Sequence, residues 1–207
     1  MHHADIPPVS SRRALLGGGL ALAGAVLTPA QIWAQAAAMP PSPLPRRAQQ
    51  LLDRVCDLTI PDTDTPGAVK AGVPAFVALA IAHGVSRANA PVAEVLFTGG
   101  KAPADAGLLD WLGFELDLKA GGAFLSARPD AQEKALAGLD AAAYAKGGEK
   151  SPWRLLKGLI VTGYYTSEIG GSQELRFELV PGRFDPDVAV GPGERAWSSD
   201  WTAVDFG

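Results

Sequence analysis

The amino-acid sequence predicts a mainly α protein, a small bundle of about six helices followed by an extended, aromatic-rich C-terminal arm. Between residues 46 and 163, apolar residues recur at the spacing of a helix that is buried on one side. Glycine pairs and prolines interrupt this pattern at short intervals, as expected at helix ends. With 207 residues, of which 47% are hydrophobic and 19% charged, the chain is long enough to bury one core.

The helices are predicted within residues 46–163, and the spacing of their apolar residues sets their order. The last helix begins at Ser151 and Pro152, which are suited to the N-cap and the first helical position, and it runs into Tyr165. In the helix before it, Tyr144 is expected to face inward with its leucines. The five helices predicted before the last one are Arg46–Leu58, Ala75–Gly84, Pro91–Phe97, Asp105–Lys119 and Pro129–Ala145.

Between the first two helices, residues 60–74 are rich in proline, glycine and aspartate and are predicted to form an ordered loop. Asp62 and Asp64 are expected to cap helices rather than bind a cation, because two carboxylates do not form an oxygen cage. Cys56 is expected to be buried and unreactive. His83 lies near a helix end, where a cation is favourable, and needs no ligand role.

Composition excludes several classes of function. The formal net charge is -4 and no long run of Lys and Arg occurs, which argues against nucleic-acid binding. The chain has one cysteine and three histidines, two of them at positions 2 and 3, so most self-contained zinc, iron–sulfur and attached haem sites lack ligands. No dinucleotide fingerprint or phosphate-binding loop is present. We therefore expect no catalytic, cofactor-binding or metal-binding residue in this chain.

The N-terminus, residues 1–36, is predicted to be a twin-arginine export signal. Arg12 and Arg13 precede an apolar run from Gly17 to Leu27, which is the order found in such signals. The run is shorter than the roughly 20 apolar residues of a membrane span. The twin-arginine route carries folded proteins, usually because they hold a cofactor or a partner. Since no cofactor motif is present, a partner is the better explanation.

The end of the signal is predicted from small residues. Ala34 and Ala36 form the small-x-small pattern of a cleavage site. Residues 37–45 are rich in proline and are expected to form a stiff linker to the folded part. Residues 46–163 then form the helical domain, and residues 164–207 form the C-terminal arm.

The arm contains nearly half of the aromatic residues of the chain. Leu175, Phe177 and Leu179 alternate with polar residues, as they would in an extended segment. A disordered tail would be poor in aromatic residues, so these rings are expected to be buried. They either fold back on the chain's own helices or cover a partner, and composition leaves both alternatives open.

Two stretches of the sequence resemble the gluconate 2-dehydrogenase subunit 3 family, the small subunits of bacterial membrane-linked flavin dehydrogenases. The first is Ile60-Pro-Asp-Thr-Asp-Thr-Pro-Gly-Ala68, followed by Gly72-Val-Pro74. The second is Thr162-Gly-Tyr-Tyr-Thr-Ser-Glu-Ile-Gly170, followed by Leu175-Arg176, Val180-Pro-Gly182 and Trp197-Ser198. The order and spacing of these motifs match the family over about residues 46–201.

The resemblance implies a non-catalytic small subunit that pairs with a large, FAD-containing catalytic subunit of the glucose–methanol–choline (GMC) type. Such a subunit commonly lacks its own signal, so the small subunit escorts it through the twin-arginine translocase and supports its maturation and stability. Electrons then usually pass to a cytochrome c subunit or domain, which holds haem c. The implied location is the periplasm, with membrane association only through the complex, and the implied substrates are sugars, polyols or glycosides.

The resemblance also implies that the second motif lies beside or within the subunit interface. Many relatives have a cysteine after the Val-Pro-Gly element, whereas this chain has Asp187, so the resemblance does not support a covalent tie there. The association is instead expected to depend on apolar and aromatic burial. The residues expected at the interface are Tyr164, Tyr165, Thr166, Ser167, Glu168, Phe177, Phe184, Trp197 and Trp201.

Two other classes of function stay open at this point. An independent hydrolase or oxidoreductase would need a nucleophile and a base within hydrogen-bond distance, and the available pairs, such as Tyr165 with Lys157, belong to no motif. A stand-alone binding or structural module would instead bury its aromatic residues within a stable monomer.

Overall fold

The computed structural model describes residues 28–38, 44–98, 105–176, 189 and 191–197, and every structural statement below concerns these residues. They form a mainly helical domain, as predicted, with a single parallel bridge between Arg176 and Trp197. The α-helices of this part of the chain are α1 (Pro29–Ala38), α2 (Arg46–Thr59), α3 (Val73–Ala82), α4 (Leu108–Ala120), α5 (Pro129–Tyr144) and α6 (Pro152–Tyr165).

Helix α3 is apolar on nearly every side and is mostly buried. Phe76, Val77 and Ala80 are all buried, and α3 packs against α1, α2 and α6. A helix without a polar face is stable only where its neighbours cover it. His83 follows α3 as its exposed C-cap, and Gly84 then adopts a left-handed conformation with a φ of 67°.

Helices α4 and α5 pack on α2 and α6 and complete the same core. α4 packs against α5, α5 packs against α6, and α2 contacts both α3 and α4. The apolar stripes that the sequence predicts on α2, α4, α5 and α6 face this core, because the helical period brings their side chains to one face. The largest fully buried side chains include Leu52, Leu112, Leu116, Phe124, Trp153, Leu156 and Ile160.

Two of the predictions about helices are wrong. Residues 91–97 do not form a helix but contain one 3-10 turn, Glu94–Leu96, with extended residues on both sides. Val95 in that turn is 87% exposed, whereas Phe97 is buried in the core, so the segment packs through single side chains and not through one helical face. Tyr144 does not face inward but is 52% exposed. The cationic groups of Arg154 and Lys157 lie over its ring, 4.7 Å and 4.9 Å from the ring centroid. These cation–π contacts stabilise the ring at the surface.

The structure also contains a helix that the sequence analysis did not predict. Helix α1, Pro29–Ala38, occupies the end of the predicted signal and the first two residues of the predicted linker. Thr28 and Gln31 form reciprocal hydrogen bonds at its start, in which each backbone N–H donates to the other side chain. This is a capping box, which satisfies two of the free N–H groups at a helix start. Pro29 occupies the first position of the helix, where it costs no hydrogen bond.

The loop between α2 and α3 is ordered, as predicted, because its own backbone closes it. The N–H of Ala68 donates to the carbonyl of Ile60 at 2.9 Å, and the N–H of Gly67 donates to the Asp62 carboxylate at 2.7 Å. Glycine is required at position 67, where the two ends of the loop meet, since a Cβ there would lie 2.5 Å from the Ile60 carbonyl oxygen. The loop therefore holds one closed shape on the surface of the core.

We predict that Gly67→Ala destabilises the domain, because the backbone that a new methyl group would meet cannot move aside cheaply. The free energy of unfolding should fall by about 1–3 kcal/mol, the usual cost of overpacking. Urea denaturation followed by circular dichroism measures this change. Gly122→Ala is the matched control, because a Cβ at Gly122 meets nothing within 4 Å. Equal urea midpoints for the two variants would show that the close approach of residue 67 to the Ile60 carbonyl does not limit which side chain this position accepts.

Candidate functional site

The two motifs that carry the family resemblance meet in space at the end of α6. Ile160 and Tyr164 lie one helical turn apart and are both buried, so the Tyr164 ring enters the core. Its hydroxyl donates a hydrogen bond of 3.0 Å to the carbonyl of Pro66. Residues about 100 apart in the sequence are thereby joined. The loop of the first motif and the helix of the second form one junction.

The residues after Tyr164 end the helix and turn the chain. The Ser167 hydroxyl donates to the carbonyl of Tyr164 at 2.6 Å and accepts the N–H of Gly170 at 3.0 Å. A Cβ at Gly170 would lie 2.0 Å from the Tyr164 carbonyl oxygen, so only glycine permits the turn. The Thr166 hydroxyl donates to the Thr162 carbonyl at 2.6 Å. The Thr166 and Ser167 hydroxyl groups therefore stabilise the end of α6 by binding its backbone groups.

Part of the C-terminal arm is tied to the same junction. After a short π-helical turn, Gly170–Glu174, the Glu174 carboxylate accepts a hydrogen bond from the buried Thr65 hydroxyl. Arg195 donates from Nη2 to the Asp64 carboxylate at 2.9 Å and from Nη1 to the Gln173 carbonyl. The arm therefore returns to the loop of the first motif, and three segments distant in sequence form one surface.

The arm also makes contacts within itself at this surface. Arg176 donates from its backbone N–H to the Ala196 carbonyl at 2.9 Å and from Nη1 to the Glu194 carboxylate at 2.7 Å. Its guanidinium group lies 5.8 Å from the centroid of the Trp197 ring. Between the arm and the loop lies an open groove of about 620 Å³, with a largely polar lining that includes Asp64, Thr65, Gln173, Arg176 and Arg195.

The acids of the loop are paired with basic side chains. A hydrogen bond from Lys70, with a second from the Gly67 backbone, lowers the pKa of Asp62. The hydrogen bond from Arg195, together with one from Thr63, lowers the pKa of Asp64. The expectation that these acids cap helices is therefore wrong, because Asp62 closes its own loop and Asp64 fixes the arm. In the described ranges no three His, Cys, Asp or Glu side chains come close enough to bind a metal ion.

Two aromatic side chains remain at the surface of the junction. Tyr165 and Trp197 are each 43% exposed. The Tyr165 ring packs edge-on against Tyr164, with centroids 5.3 Å apart. Partial burial, with smaller contributions from Glu174 and Tyr164, raises the pKa of the Tyr165 hydroxyl. Both aromatic side chains are partly packed against this chain and expose the rest of their apolar area to the solvent.

The predicted interface residues separate into three groups. Tyr164 and Ser167 are buried within this chain, so they position the junction instead of touching solvent. Tyr165, Thr166, Glu168 and Trp197 are exposed at its surface. Lying outside the described residues are Arg12, Arg13, Phe177, Phe184, Asp187 and Trp201. The predicted cleavage residues Ala34 and Ala36 both lie in α1.

The reactive groups that the sequence analysis considered have structural surroundings. Burial, followed by the nearby charges of Asp53 and Asp57, raises the pKa of the Cys56 thiol, and this thiol has no disulfide partner among the described residues. Lys157 pairs with Asp140 at 2.7 Å. Cys56 is therefore held as an uncharged thiol inside the core, as the sequence predicts.

Sequence reasoning missed three residues that assemble the junction, Glu174, Arg195 and Trp33, and it assigned no packing contact to Gly163 of the second motif. Glu174 and Arg195 tie the arm, and Trp33 donates from Nε1 to the Thr166 hydroxyl at 3.1 Å. Gly163 lies against Phe76, since a Cβ there would be 2.7 Å from the ring atom Cδ1. For Trp33 a local signal existed, because a capping box directly precedes it. The others act across long sequence distances that leave no local pattern.

A protein-family model of gluconate 2-dehydrogenase subunit 3 matches residues 46–182 of the chain, which include both motifs and helices α2 to α6. The match covers more than half of the sequence, so this chain belongs to the gluconate 2-dehydrogenase subunit 3 family, whose members are subunits of dehydrogenase complexes. The predicted resemblance is confirmed. No curated protein and no solved structure matches the chain.

Among the described residues, no helix combines the length and apolar character that a membrane span requires. Helix α1 begins after the apolar run of the predicted signal and is itself only 10 residues long.

We predict that Arg195→Ala raises the pKa of Asp64 toward the ordinary value of about 3.9, because the hydrogen bond that lowers it is removed. Because the pKa of Asp64 is lower in the folded state, the pairing with Arg195 stabilises the fold at a pH above the ordinary carboxyl pKa. This stabilisation is lost as the pH falls through the lowered pKa. Carboxylate chemical shifts followed by NMR titration measure the change. Arg128→Ala is the control, because Arg128 pairs with Asp130. An unchanged Asp64 titration in Arg195→Ala would contradict the assigned contact.

Proposed function

We propose that this chain is the non-catalytic small subunit of a periplasmic FAD-dependent dehydrogenase complex. It supports the maturation and stability of a GMC-type flavin subunit and carries that subunit through the twin-arginine translocase. Membership of the family supports the place in a dehydrogenase complex. Arg12, Arg13 and the apolar run after them support the export route. The substrates, sugars, polyols or glycosides, are those of the flavin subunit.

The observation that carries this proposal is the fixed junction with exposed aromatic side chains. Tyr165 rests on Tyr164, whose hydroxyl is bound to the loop. A ring that is already held loses little conformational freedom when a partner covers it, so more of its burial contributes to affinity. Val161, one turn before Tyr165, is also exposed and extends the apolar surface along α6.

The proposed division of labour follows from what each subunit holds. FAD belongs to the flavin subunit, and haem c belongs to a cytochrome c subunit or domain that accepts the electrons. This chain contributes surface: it covers apolar area on the flavin subunit and thereby stabilises its folded form by mass action. A stable interface of this kind buries at least about 800 Å² on each side.

The proposal is tested by expressing the flavin subunit of the complex with and without this chain. We expect periplasmic export, flavin content and dehydrogenase activity only in the presence of this chain. A second arm replaces Arg12 and Arg13 by lysine. The complex should then form in the cytoplasm without reaching the periplasm. Equal export and flavin content with and without the chain would contradict the proposal, as would turnover by the purified chain alone, which indicates an independent enzyme.

We predict that Tyr165→Ala weakens the complex with the flavin subunit, because it removes the held aromatic ring at the centre of the proposed surface. A loss of about 2 kcal/mol, roughly 30-fold in the dissociation constant, is typical of such a residue. Tyr144→Ala is the matched control, because Tyr144 is the more exposed tyrosine and lies on α5. Titration calorimetry measures both. Equal affinities for the two variants would show that the face of α6 that carries Tyr165 is not part of the interface.

A further inference from the structure

Helix α1 is packed into the domain although it lies in the predicted leader. Ile32 on α1 is 2% exposed and belongs to the core cluster. The Trp33 ring lies against Phe76 of α3, with centroids 5.3 Å apart, and its Nε1 donates to the Thr166 hydroxyl after α6. Both an apolar contact and a directed hydrogen bond therefore fix α1 in one position.

The surface that receives α1 is shaped for it. Gly72 adopts a left-handed conformation with a φ of 78°, and a Cβ there would lie 3.2 Å from Cζ3 of the Trp33 ring. The indole thus occupies space that a side chain at residue 72 would restrict. Gly72, Phe76 and Thr166 come from the loop, from α3 and from the end of α6, so this surface exists only when these elements are assembled.

Cleavage after Ala36 would remove most of this helix. The cut lies within α1, and Ile32 and Trp33 would leave with the leader unless they stayed bound. Their loss would uncover Phe76 and leave Thr166 without its indole partner. Proteases act on accessible, irregular segments, and the helical, packed backbone of α1 is available only in the fraction of molecules in which α1 has opened.

We propose that α1 is a permanent part of the folded domain, seated on the surface formed by Gly72, Phe76 and Thr166, and that the exported chain is not cut within it. The protein then keeps Pro29–Ala38 at its destination, and any removal of the leader takes place before Pro29. This replaces the cleavage site predicted from Ala34 and Ala36. The occupant of this surface is a segment of the same chain, and the proposal does not depend on the flavin subunit.

The first test determines the N-terminus of the full-length chain after export, by intact mass and N-terminal sequencing of the periplasmic protein. A first residue at Pro29 or earlier is the expected result. A first residue anywhere from Ala30 onward would overturn the proposal, because α1 would then be cut or lost. A chain retained in the cytoplasm gives no exported form, so the same decision is then made from hydrogen exchange of that chain.

Hydrogen exchange measures whether α1 is docked in the unmodified protein. Amides of α1 from Trp33 onward should exchange as slowly as those of α3, since both helices pack into one core. Exchange at the rate of an unstructured segment would overturn the proposal. This measurement needs no variant and is therefore independent of whether a mutated chain folds.

A pair of tryptophan variants tests the contact itself. Trp33→Ala should lower the melting temperature by roughly 10 °C, because it removes a partly buried ring that packs against the core together with its hydrogen bond. Trp197→Ala is the matched control, because Trp197 is 43% exposed and lies outside the core cluster, and its melting temperature should change by only a few degrees. Equal melting temperatures for the two variants would overturn the proposal. A Trp33→Ala chain that does not accumulate while Trp197→Ala does supports it.

Discussion

The contact between Phe76 and Gly163 is the constraint on which the rest of the structure depends. Because residue 163 has no side chain, α6 approaches the Phe76 ring more closely than any other residue would permit. That approach fixes the position of α6 relative to α3, and it brings the Tyr164 hydroxyl to the carbonyl of Pro66. The same ring receives Trp33 from α1. Three helices and the loop of the first motif are thus positioned through one phenyl group.

Two kinds of interaction of unequal strength hold the candidate site. The loop and the end of α6 are joined by buried groups, among them the Tyr164 ring and the Ser167 hydroxyl. The described part of the arm is held by exposed ion pairs, such as Asp64 with Arg195 and Arg176 with Glu194. Exposed pairs of this kind contribute about 0–1 kcal/mol each. The exposed pairs of the arm therefore contribute less to stability than the buried contacts that join the loop to the end of α6.

The helices that could be predicted from the sequence are those whose apolar residues repeat at a regular period and whose ends carry glycine or proline. α2, α5 and α6 were predicted to within a few residues on this basis. The same reasoning failed for residues 91–97, because the periodicity of so short an apolar run does not distinguish a helix from an extended segment. It also failed for Tyr144, since an amphipathic ring is satisfied equally well by two cations at the surface.

The candidate site was predictable only in part, for a different physical reason. The motif residues Tyr164 to Glu168 could be singled out from the resemblance, but which of them point inward depends on how α6 sits on Phe76. The pairing of Asp64 with Arg195 joins positions 131 residues apart, and such pairs follow from the assembled fold and leave no trace in local sequence. Periodicity describes one element at a time, whereas this site consists of contacts between elements.

The failure to predict α1 shows why a leader and a folded domain are hard to separate by pattern alone. Alanine fits a small-x-small cleavage pattern, and alanine is also the strongest helix former, so Ala34 and Ala36 satisfy both descriptions. The capping box at Thr28 and Gln31 and the contacts of Trp33 with Phe76 and Thr166 favour the folded helix, because they start this helix and fix it on the domain. With α1 docked on Thr166, a residue of the family motif, the leader is joined to the chain at the helix end that also carries the exposed Tyr165. On the proposed twin-arginine route, the translocase would meet a leader whose attachment point on Thr166 forms only after α3 and α6 have assembled.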